Sequence, residues 1–177
     1  MKPTPLRIAI TGPESTGKSS LAKELAAHYN TLFVEEYARE YIDQLGRQYS
    51  EDDILQIARG QLANEEEKAG RARNILFCDT ELTVCQIWSL VKYNRCHPWI
   101  SQTMAARPYP LYLLTNIDLA WEDDPQREHP HLREHLFQLY HENLSRRGVN
   151  FAVVSGQGTD RLLCAIRQVE NLLQSYR

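Results

Sequence analysis

Short apolar segments alternate along this chain with longer segments in which apolar residues return every three or four positions. The short segments are rich in β-branched and large aliphatic residues and have the length of buried strands. They cover residues 6–10, 31–34, 74–79, 111–114 and 150–154. Each is followed, directly or after a loop, by a segment with helical periodicity. The pattern therefore predicts strands and helices in regular alternation.

The helical segments are bounded by capping signals. They cover about residues 21–29, 36–45, 50–73, 82–93, 98–106, 132–147 and 159–176. Ser50 and Asp53 have the spacing of a capping box, and Thr159 and Asp160 are the expected caps of the last helix. Five strands that alternate with helices predict an α/β fold with a parallel sheet and helices on both faces. Such sheets bind ligands at the carboxyl ends of their strands.

A glycine-rich loop stands between the first predicted strand and the first predicted helix. Residues 12–19 follow the G-x-x-x-x-G-K-[ST] pattern of the phosphate-binding P-loop. Lys18 is expected to reach the β and γ phosphates of ATP, and the Ser19 hydroxyl to hold Mg²⁺. The expected nucleotide contacts are Gly12, Glu14, Ser15, Thr16, Gly17, Lys18, Ser19 and Ser20. A surface loop rich in glycine and serine is the alternative, but the flanking strand and helix favour nucleotide binding.

Carboxylates follow two of the predicted strands. Asp79 closes the strand at 74–79 as in a Walker B element, so we expect it beside the P-loop, positioning Mg²⁺ together with Ser19. Glu36 is the candidate base that deprotonates an acceptor hydroxyl, and Glu35 is the alternative. Arg39 follows on the next helix, where it can pair with Glu36 or bind substrate. The alternative for Glu36 and Arg39 is a surface ion pair without function.

A polar segment interrupted by prolines covers about residues 116–130 and is longer than a typical connection. In phosphotransferases such segments commonly serve as lids over the phosphates. Arg127 and Arg133 are the candidates to stabilise the transferred phosphoryl group, and an ordinary loop with surface arginines is the alternative. The tight loop at 155–158, with Gly156 and Gln157, stands where we expect the nucleotide base.

Composition narrows the classes of function. A net charge of -3 argues against general nucleic-acid binding. No apolar run reaches the roughly 18 residues that cross a bilayer, and no secretory signal is visible. The four cysteines lack metal-ligand spacing and fit reduced thiols. We therefore expect one cytoplasmic domain over residues 1–177 without a nucleic-acid or membrane partner, and no oligomeric state is predicted.

Several stretches together resemble one family. Residues 12–20 read G-P-E-S-T-G-K-S-S, residues 36–41 read E-Y-A-R-E-Y, residues 77–81 read F-C-D-T-E, and residues 121–127 read W-E-D-D-P-Q-R. They are similar to the ribosylnicotinamide kinase domain of the bifunctional bacterial NAD-biosynthesis regulator and to related stand-alone AAA-type ATP-binding proteins. The resemblance covers about residues 7–165 and implies a P-loop kinase with a nucleoside-kinase-like fold. It implies transfer of the ATP γ-phosphate to the 5′-hydroxyl of nicotinamide riboside, which gives nicotinamide mononucleotide.

By this resemblance, the segment from Glu36 to Arg39 holds the substrate ribose, and aromatic side chains clamp the nicotinamide ring. Better-described members have an aromatic residue where this chain has Glu35, so Tyr37, Tyr41 or Trp88 is expected to supply the ring. The alternative for each aromatic residue is a place in the core. This sequence shows neither the H-x-G-H motif nor the DNA-binding segment of the bifunctional members, so adenylyltransfer and repression are not expected.

Three functional hypotheses remain. The first is a kinase for nicotinamide riboside, and the second is a P-loop kinase for another nucleoside or for a nucleotide. The third is a non-catalytic ATP-binding module that regulates a partner. A small chain with a lid and without the guanine-specific N-K-x-D motif favours a small-molecule kinase over a GTPase. The presence of Lys18, Ser19, Asp79 and Glu36 argues against the third hypothesis, since a sensor needs no base on the acceptor side.

Overall fold

The structure is a computed structural model that describes residues 4–176. Within this range the strands are β1 (Leu6–Thr11), β2 (Leu32–Val34), β3 (Ile75–Asp79), β4 (Leu111–Thr115) and β5 (Phe151–Val154). The helices are α1 (Lys18–His28), α2 (Tyr37–Leu45), α3 (Glu51–Arg71), α4 (Leu82–Tyr93), α5 (Pro98–Ala106), α6 (Arg133–Arg147) and α7 (Gly158–Gln174).

All five strands are parallel and form one sheet in the order β2-β3-β1-β4-β5. Because both faces of such a sheet are covered, its central strands are apolar at nearly every position. In β1, Ile8 and Ile10 pack with the buried residues of α1 and α7, whereas Ala9 packs on the other face with Ile87 and Leu136 of α4 and α6. The prediction of a parallel sheet with helices on both faces is confirmed.

The centre of the sheet determines where a ligand can bind. The first strand, β1, lies between β3 and β4. The strands β2 and β3 therefore lie on one side of β1, and β4 and β5 lie on the other. A crevice opens at such a switch point, outside the carboxyl ends of the strands. The loops that follow β1, β3 and β4 all meet there. The helices α2, α3, α4 and α5 form a further apolar cluster beside this edge, around Ile54, Leu82 and Ile100.

Most of the capping signals in the sequence agree with the helix ends, and one pair of expected caps does not. Ser50 and Asp53 form the expected capping box at the start of α3. The end of α2 is followed by Gly46, whose φ of 65° is the left-handed conformation that glycine favours. The interpretation of Thr159 and Asp160 as caps was wrong, because α7 begins at Gly158 and both residues lie in its first turn.

The cysteines and the apolar character of the helices bear on two expectations from the composition. All four cysteines are free thiols. Within residues 4–176, no helix has both the length and the apolar character that are needed to cross a membrane.

Candidate active site

The P-loop, residues 12–17, connects the end of β1 to the start of α1. Gly12 has a φ of 139°, and a Cβ there would be 2.5 Å from Thr115 Oγ1, so the position requires glycine. The Thr16 hydroxyl donates to the Pro13 carbonyl oxygen at 2.8 Å and shares a 2.7 Å hydrogen bond with the Thr115 hydroxyl. The loop is therefore shaped by its own hydrogen bonds and held to the end of β4.

The first turn of α1 forms one end of a cavity. Lys18, Ser19 and Ser20 line this end together with the P-loop. Lys18 Nζ donates to the Pro13 carbonyl oxygen at 2.8 Å, which holds the ammonium group above the loop. Among residues 4–176, no side chain caps the N-terminus of α1, so its N–H groups are available to an anion. The sequence-predicted residues that line the cavity here are Gly12, Glu14, Ser15, Thr16, Gly17, Lys18, Ser19 and Ser20.

Asp79 lies at the end of β3, next to the P-loop. It is opposite Ile10 in the β1–β3 register and is almost fully buried. Within residues 4–176 its Oδ1 atom has no hydrogen-bond partner. Burial, followed by the negative charge of Glu36, raises the pKa of Asp79 to about 6, whereas the Ser19 hydroxyl and the Lys18 ammonium act in the opposite direction.

An unpaired buried carboxylate oxygen beside a serine hydroxyl suits a hydrated magnesium ion. Mg²⁺ is usually bound through one or two carboxylates and the substrate phosphates, rather than by a cage of protein ligands. Among residues 4–176 there is no cluster of three or more His, Cys, Asp or Glu side chains that could hold a metal. Ser19 and Asp79 therefore fit the Mg²⁺ that accompanies ATP.

Glu35 and Glu36 are adjacent, but their side chains have different surroundings. Glu36 lines the cavity, and its carboxylate is 3.5 Å from Arg39 Nε. The Glu35 side chain is 75% exposed and accepts a 3.0 Å hydrogen bond from Lys68 Nζ of α3. Arg39 also lines the cavity, and it donates to the Asp124 carboxylate at 2.8 Å. Of the two candidate bases, Glu36 is the one that faces the cavity.

Three tyrosine and tryptophan side chains line the cavity: Tyr49, Trp88 and the buried Tyr140 of α6. Trp88 belongs to α4 and Tyr49 to the loop before α3. Their rings are 4.8 Å apart in an edge-to-face arrangement, and Trp88 Nε1 donates to the Tyr49 hydroxyl at 2.9 Å. Sequence reasoning identified Trp88 but missed Tyr49, which stands in a loop without a motif or a periodic pattern.

The side chains of Tyr37 and Tyr41 turn toward α3 instead of the cavity. A Cβ on Gly60 would be 2.0 Å from Tyr37 Cε1, so the Tyr37 ring lies directly on the α3 backbone. The Tyr41 hydroxyl donates to Asp53 at 2.8 Å. The expectation that these two rings contact the substrate does not agree with this placement, because both are used to pack α2 on α3.

Residues 116–132, which we call the lid segment, connect β4 to α6 and lie over the P-loop. The backbone N–H groups of Glu128 and His129 each donate to the Glu14 carboxylate at 3.1 Å. The backbone N–H of Glu122 donates to Ser15 Oγ at 2.9 Å. Two side chains of the P-loop therefore hold the lid segment down.

The two candidate arginines of the lid region have different positions. Arg127 lines the cavity and donates to Ser15 Oγ at 3.3 Å and to the carbonyl oxygen of Glu122. Arg133 donates to the carbonyl oxygens of Ser15 and Leu119 at 3.1 and 2.9 Å. The structure thus brings Arg127 to the cavity, whereas Arg133 joins the lid segment to the P-loop backbone.

The loop after β5 is organised by a buried arginine that sequence reasoning missed. Arg161 is 5% exposed, and its guanidinium donates to Asp118 at 2.6 Å and to the Thr16 carbonyl oxygen at 2.6 Å. The Gly156 N–H donates to the other Asp118 oxygen at 2.6 Å, and the Gln157 amide donates to the Asp118 carbonyl oxygen at 3.2 Å. Gly156 and Gln157 are therefore engaged with Asp118, and the residues of this region that line the cavity are Gly158 and Arg161.

All these walls enclose one cavity of about 410 Å³. The P-loop lies at one end, and Glu36, Arg39, Tyr49 and Trp88 also line it. A family profile described as an AAA domain, AAA_28, matches residues 7–161. The chain belongs to this family of AAA domains.

The sequence is also similar to that of NadR proteins from bacteria. The chain is 27% identical over 179 aligned residues to the trifunctional NAD biosynthesis/regulator protein NadR of Escherichia coli (strain K12). The alignment covers 96% of this chain and 43% of NadR, so the chain spans less than half the length of that relative. The resemblance that the sequence motifs indicated is confirmed.

Solved structures show the fold. The crystal structure of NadR in complex with NR superposes with a TM-score of 0.83 at 23% identity, covering 96% of this chain and 51% of that one. NadR in complex with NAD and AMP-PNP gives 0.80 at 22% identity, with 96% and 50% covered. Thymidylate kinase from Ehrlichia chaffeensis gives 0.69 at 12% identity, with 96% and 100% covered. The fold of this chain is that of P-loop nucleoside and nucleotide kinases, as predicted.

Proposed function

We propose that this protein is an ATP-dependent kinase that phosphorylates the 5′-hydroxyl of nicotinamide riboside to nicotinamide mononucleotide. One observation carries the proposal: the cavity that contains the P-loop also contains Glu36 and the rings of Trp88 and Tyr49. A nucleotide site and an acceptor site in one enclosed space are what direct phosphoryl transfer requires.

On the nucleotide side, the P-loop N–H groups, Lys18 and the N-terminus of α1 bind the phosphates of ATP. Ser19 and Asp79 hold Mg²⁺, which neutralises charge on the phosphates when it is bound. Arg127 stabilises the charge of the transferred group, since a guanidinium matches its oxygens. The lid segment excludes water, which would otherwise compete with the acceptor.

On the acceptor side, Glu36 accepts a hydrogen bond from the 5′-hydroxyl and orients its oxygen toward phosphorus. As the oxygen–phosphorus bond forms and the bond from the γ-phosphorus to the β–γ bridging oxygen breaks, the hydroxyl proton passes to Glu36. Arg39 is 3.5 Å from Glu36 and also pairs with Asp124, so it fixes the direction of the Glu36 carboxylate.

The chemistry of the acceptor end supports nicotinamide riboside over a nucleoside monophosphate. The pyridinium ring of nicotinamide riboside is positively charged, and cations are attracted to the faces of indole rings such as Trp88. Lys92 Nζ lies 3.9 Å from the centroid of the Tyr49 ring, so Trp88 is the ring that we assign to stack on the substrate. NadR, a relative with the same fold, has been crystallised with NR.

The experiment that tests this function measures phosphate transfer from Mg·ATP to a panel of acceptors. The panel contains nicotinamide riboside, the common nucleosides and nucleoside monophosphates, and Lys18→Ala is the inactive control. Turnover of nicotinamide riboside alone is the expected result. A preference for another acceptor would support kinase activity but would contradict nicotinamide riboside as the substrate. ATP binding without transfer to any acceptor would support a regulatory ATP-binding module instead.

The two adjacent glutamates provide a matched comparison for the base. Glu36→Gln should lower kcat by about 10²- to 10⁴-fold, the usual contribution of a general base, with little change in the KM for ATP. Glu35→Gln should leave kcat unchanged, because Glu35 is exposed and paired with Lys68. Equal losses in the two variants would show that Glu36 is not the base.

A further inference from the structure

Two consecutive residues of α3, Gly60 and Gln61, lie behind the cavity wall. Gln61 is 1% exposed, and its Nε2 donates to the carbonyl oxygens of Asp79 and Thr80 at 3.3 and 3.2 Å. Its Oε1 accepts from the backbone N–H of Tyr37 at 2.9 Å. The amide can be oriented in only one way, since the carbonyls need a donor and the N–H needs an acceptor. One side chain thus joins the residue after Glu36 to Asp79.

The contact between α2 and α3 is tight at the same place. The Tyr37 ring lies so close to Gly60 that a Cβ would be 2.0 Å from its Cε1 atom and 2.4 Å from its Cδ1 atom. Real Cβ atoms do not approach a ring so closely, so the position requires glycine. Gly60 and Gln61 together fix both the ring and the backbone of Tyr37, and thereby the start of α2, where Glu36 is the N-cap residue.

The other partner of Gln61 is a strained turn. Thr80 has a φ of 72°, which is a costly conformation for a β-branched residue and persists only where the surroundings hold it. The Thr80 N–H donates to the carbonyl oxygen of Ile10 at 3.0 Å, and Gln61 holds its carbonyl oxygen from the opposite side. This turn follows Asp79 directly, so its shape determines the position of the Asp79 carboxylate.

We propose that Gln61 is a positioning residue that fixes the separation between Glu36 and Asp79, because its single amide holds the backbone next to each carboxylate. The role toward Glu36 rests on the proposed function. The role toward Asp79 concerns only the binding of Mg²⁺ and ATP, so it does not depend on the identity of the acceptor. Gln61 itself contacts neither substrate, so its effects are transmitted through Tyr37 and Thr80.

The test compares Gln61→Met, which keeps the shape of the side chain and removes its hydrogen bonds, with Gln56→Met on the exposed face of the same helix. In Gln61→Met, kcat per folded molecule should fall about 10- to 100-fold, as small misplacements of reacting groups do. The Mg²⁺ concentration that half-maximally tightens ATP binding should rise about tenfold, as it does when outer partners of metal ligands are lost. Gln56→Met should match the wild type in both quantities.

A second variant separates the contact of Gln61 with Tyr37 from its contacts with Asp79 and Thr80. Gly60→Ala displaces Tyr37 and the start of α2 without touching the turn after Asp79, so it should lower kcat and leave the Mg²⁺ dependence of ATP binding unchanged. The same Mg²⁺ defect in Gly60→Ala and Gln61→Met would overturn the separate roles. A lower melting temperature in Gln61→Met, with wild-type kcat per folded molecule and wild-type Mg²⁺ dependence, would show that Gln61 is merely structural.

The inference and the proposed function can fail independently. If the wild-type protein phosphorylates no acceptor, the proposed function is lost, and titration of ATP binding with Mg²⁺ still decides the role of Gln61. A weaker Mg²⁺ response in Gln61→Met than in Gln56→Met then supports the link to Asp79. Equal responses in the two variants overturn it.

Discussion

Asp79 shows how the buried position of a single carboxyl group makes the stability of the protein depend on pH. Its pKa is raised to about 6, first by burial and then by the charge of Glu36, from a reference value of 3.8. Between these two values the native protein holds a proton that the unfolded chain has released. Because the native state then binds more protons than the unfolded state, stability falls as the pH rises through this window.

Asp79→Asn removes the titration and isolates this effect. We expect the free energy of unfolding of the wild type, relative to Asp79→Asn, to fall by about 2 kcal/mol between pH 4.5 and pH 8. Urea unfolding of both proteins at the two pH values, without nucleotide, measures it. A change in the free energy of unfolding that the asparagine causes at both pH values cancels when the two pH values are compared. A difference that does not change with pH would mean that Asp79 has an ordinary pKa.

At the same scale, the sequence predicts which residues stand at strand ends but not which way each one points. Successive side chains in an extended segment face opposite sides, so Glu35 and Glu36 must differ in direction. In the structure Glu35 pairs with Lys68, which is distant in sequence, whereas Glu36 faces the cavity. Tyr37 was misjudged for a similar reason, because its partner Gly60 is an unremarkable position in a long helix until the two helices are seen together.

Among the elements, the lid segment owes its position to the P-loop. The sequence predicted its extent, about 116–130, from prolines and polar residues, and the structure gives 116–132 between β4 and α6. Glu14, expected only as a nucleotide contact, accepts hydrogen bonds from the backbone of Glu128 and His129. Such a contact joins residues more than a hundred positions apart, and no local pattern indicates it.

Replacing Glu14 should therefore loosen the lid segment in the nucleotide-free protein. We expect Glu14→Ala to speed amide hydrogen exchange at Glu128 and His129 by about tenfold, which corresponds to about 1.4 kcal/mol for the loss of a charged acceptor. Hydrogen exchange followed by mass spectrometry measures this effect. Glu24→Ala, an exposed glutamate of α1 at the rim of the cavity, is the matched control. Unchanged exchange in Glu14→Ala would show that other contacts hold the lid segment.

For the whole molecule, the sequence predicted that loops after several strands meet at one edge, since that follows from parallel strands alone. It did not predict what fastens these loops to each other. Arg161 donates to backbone carbonyl oxygens of Thr16, Asn116 and Gly156, which follow β1, β4 and β5. A polar residue near the start of an amphipathic helix has the pattern of a solvated position, and only the assembled sheet makes it a buried one.

Arg161 should accordingly contribute to the stability of the whole domain rather than of α7 alone. Arg161→Met leaves one carboxylate oxygen of Asp118 and three carbonyl oxygens without the arginine donor, and we expect it to lower the free energy of unfolding by about 3 kcal/mol. Arg167→Met, an exposed arginine on the same helix, should change it by less than about 0.5 kcal/mol. Urea unfolding of both variants measures the difference.

The double variant Arg161→Met/Asp118→Asn distinguishes the ion pair from the hydrogen bonds to the backbone. If the 2.6 Å pair with Asp118 carries the effect, the loss in the double variant should be smaller than the sum of the two single losses by about 1–2 kcal/mol, since the second change removes a charge that has already lost its partner. Additive losses would assign the stability to the three carbonyl contacts. In that case the arginine acts as a crosslink between strand ends, and Arg161→Met should also weaken ATP binding, because Thr16 belongs to the P-loop itself.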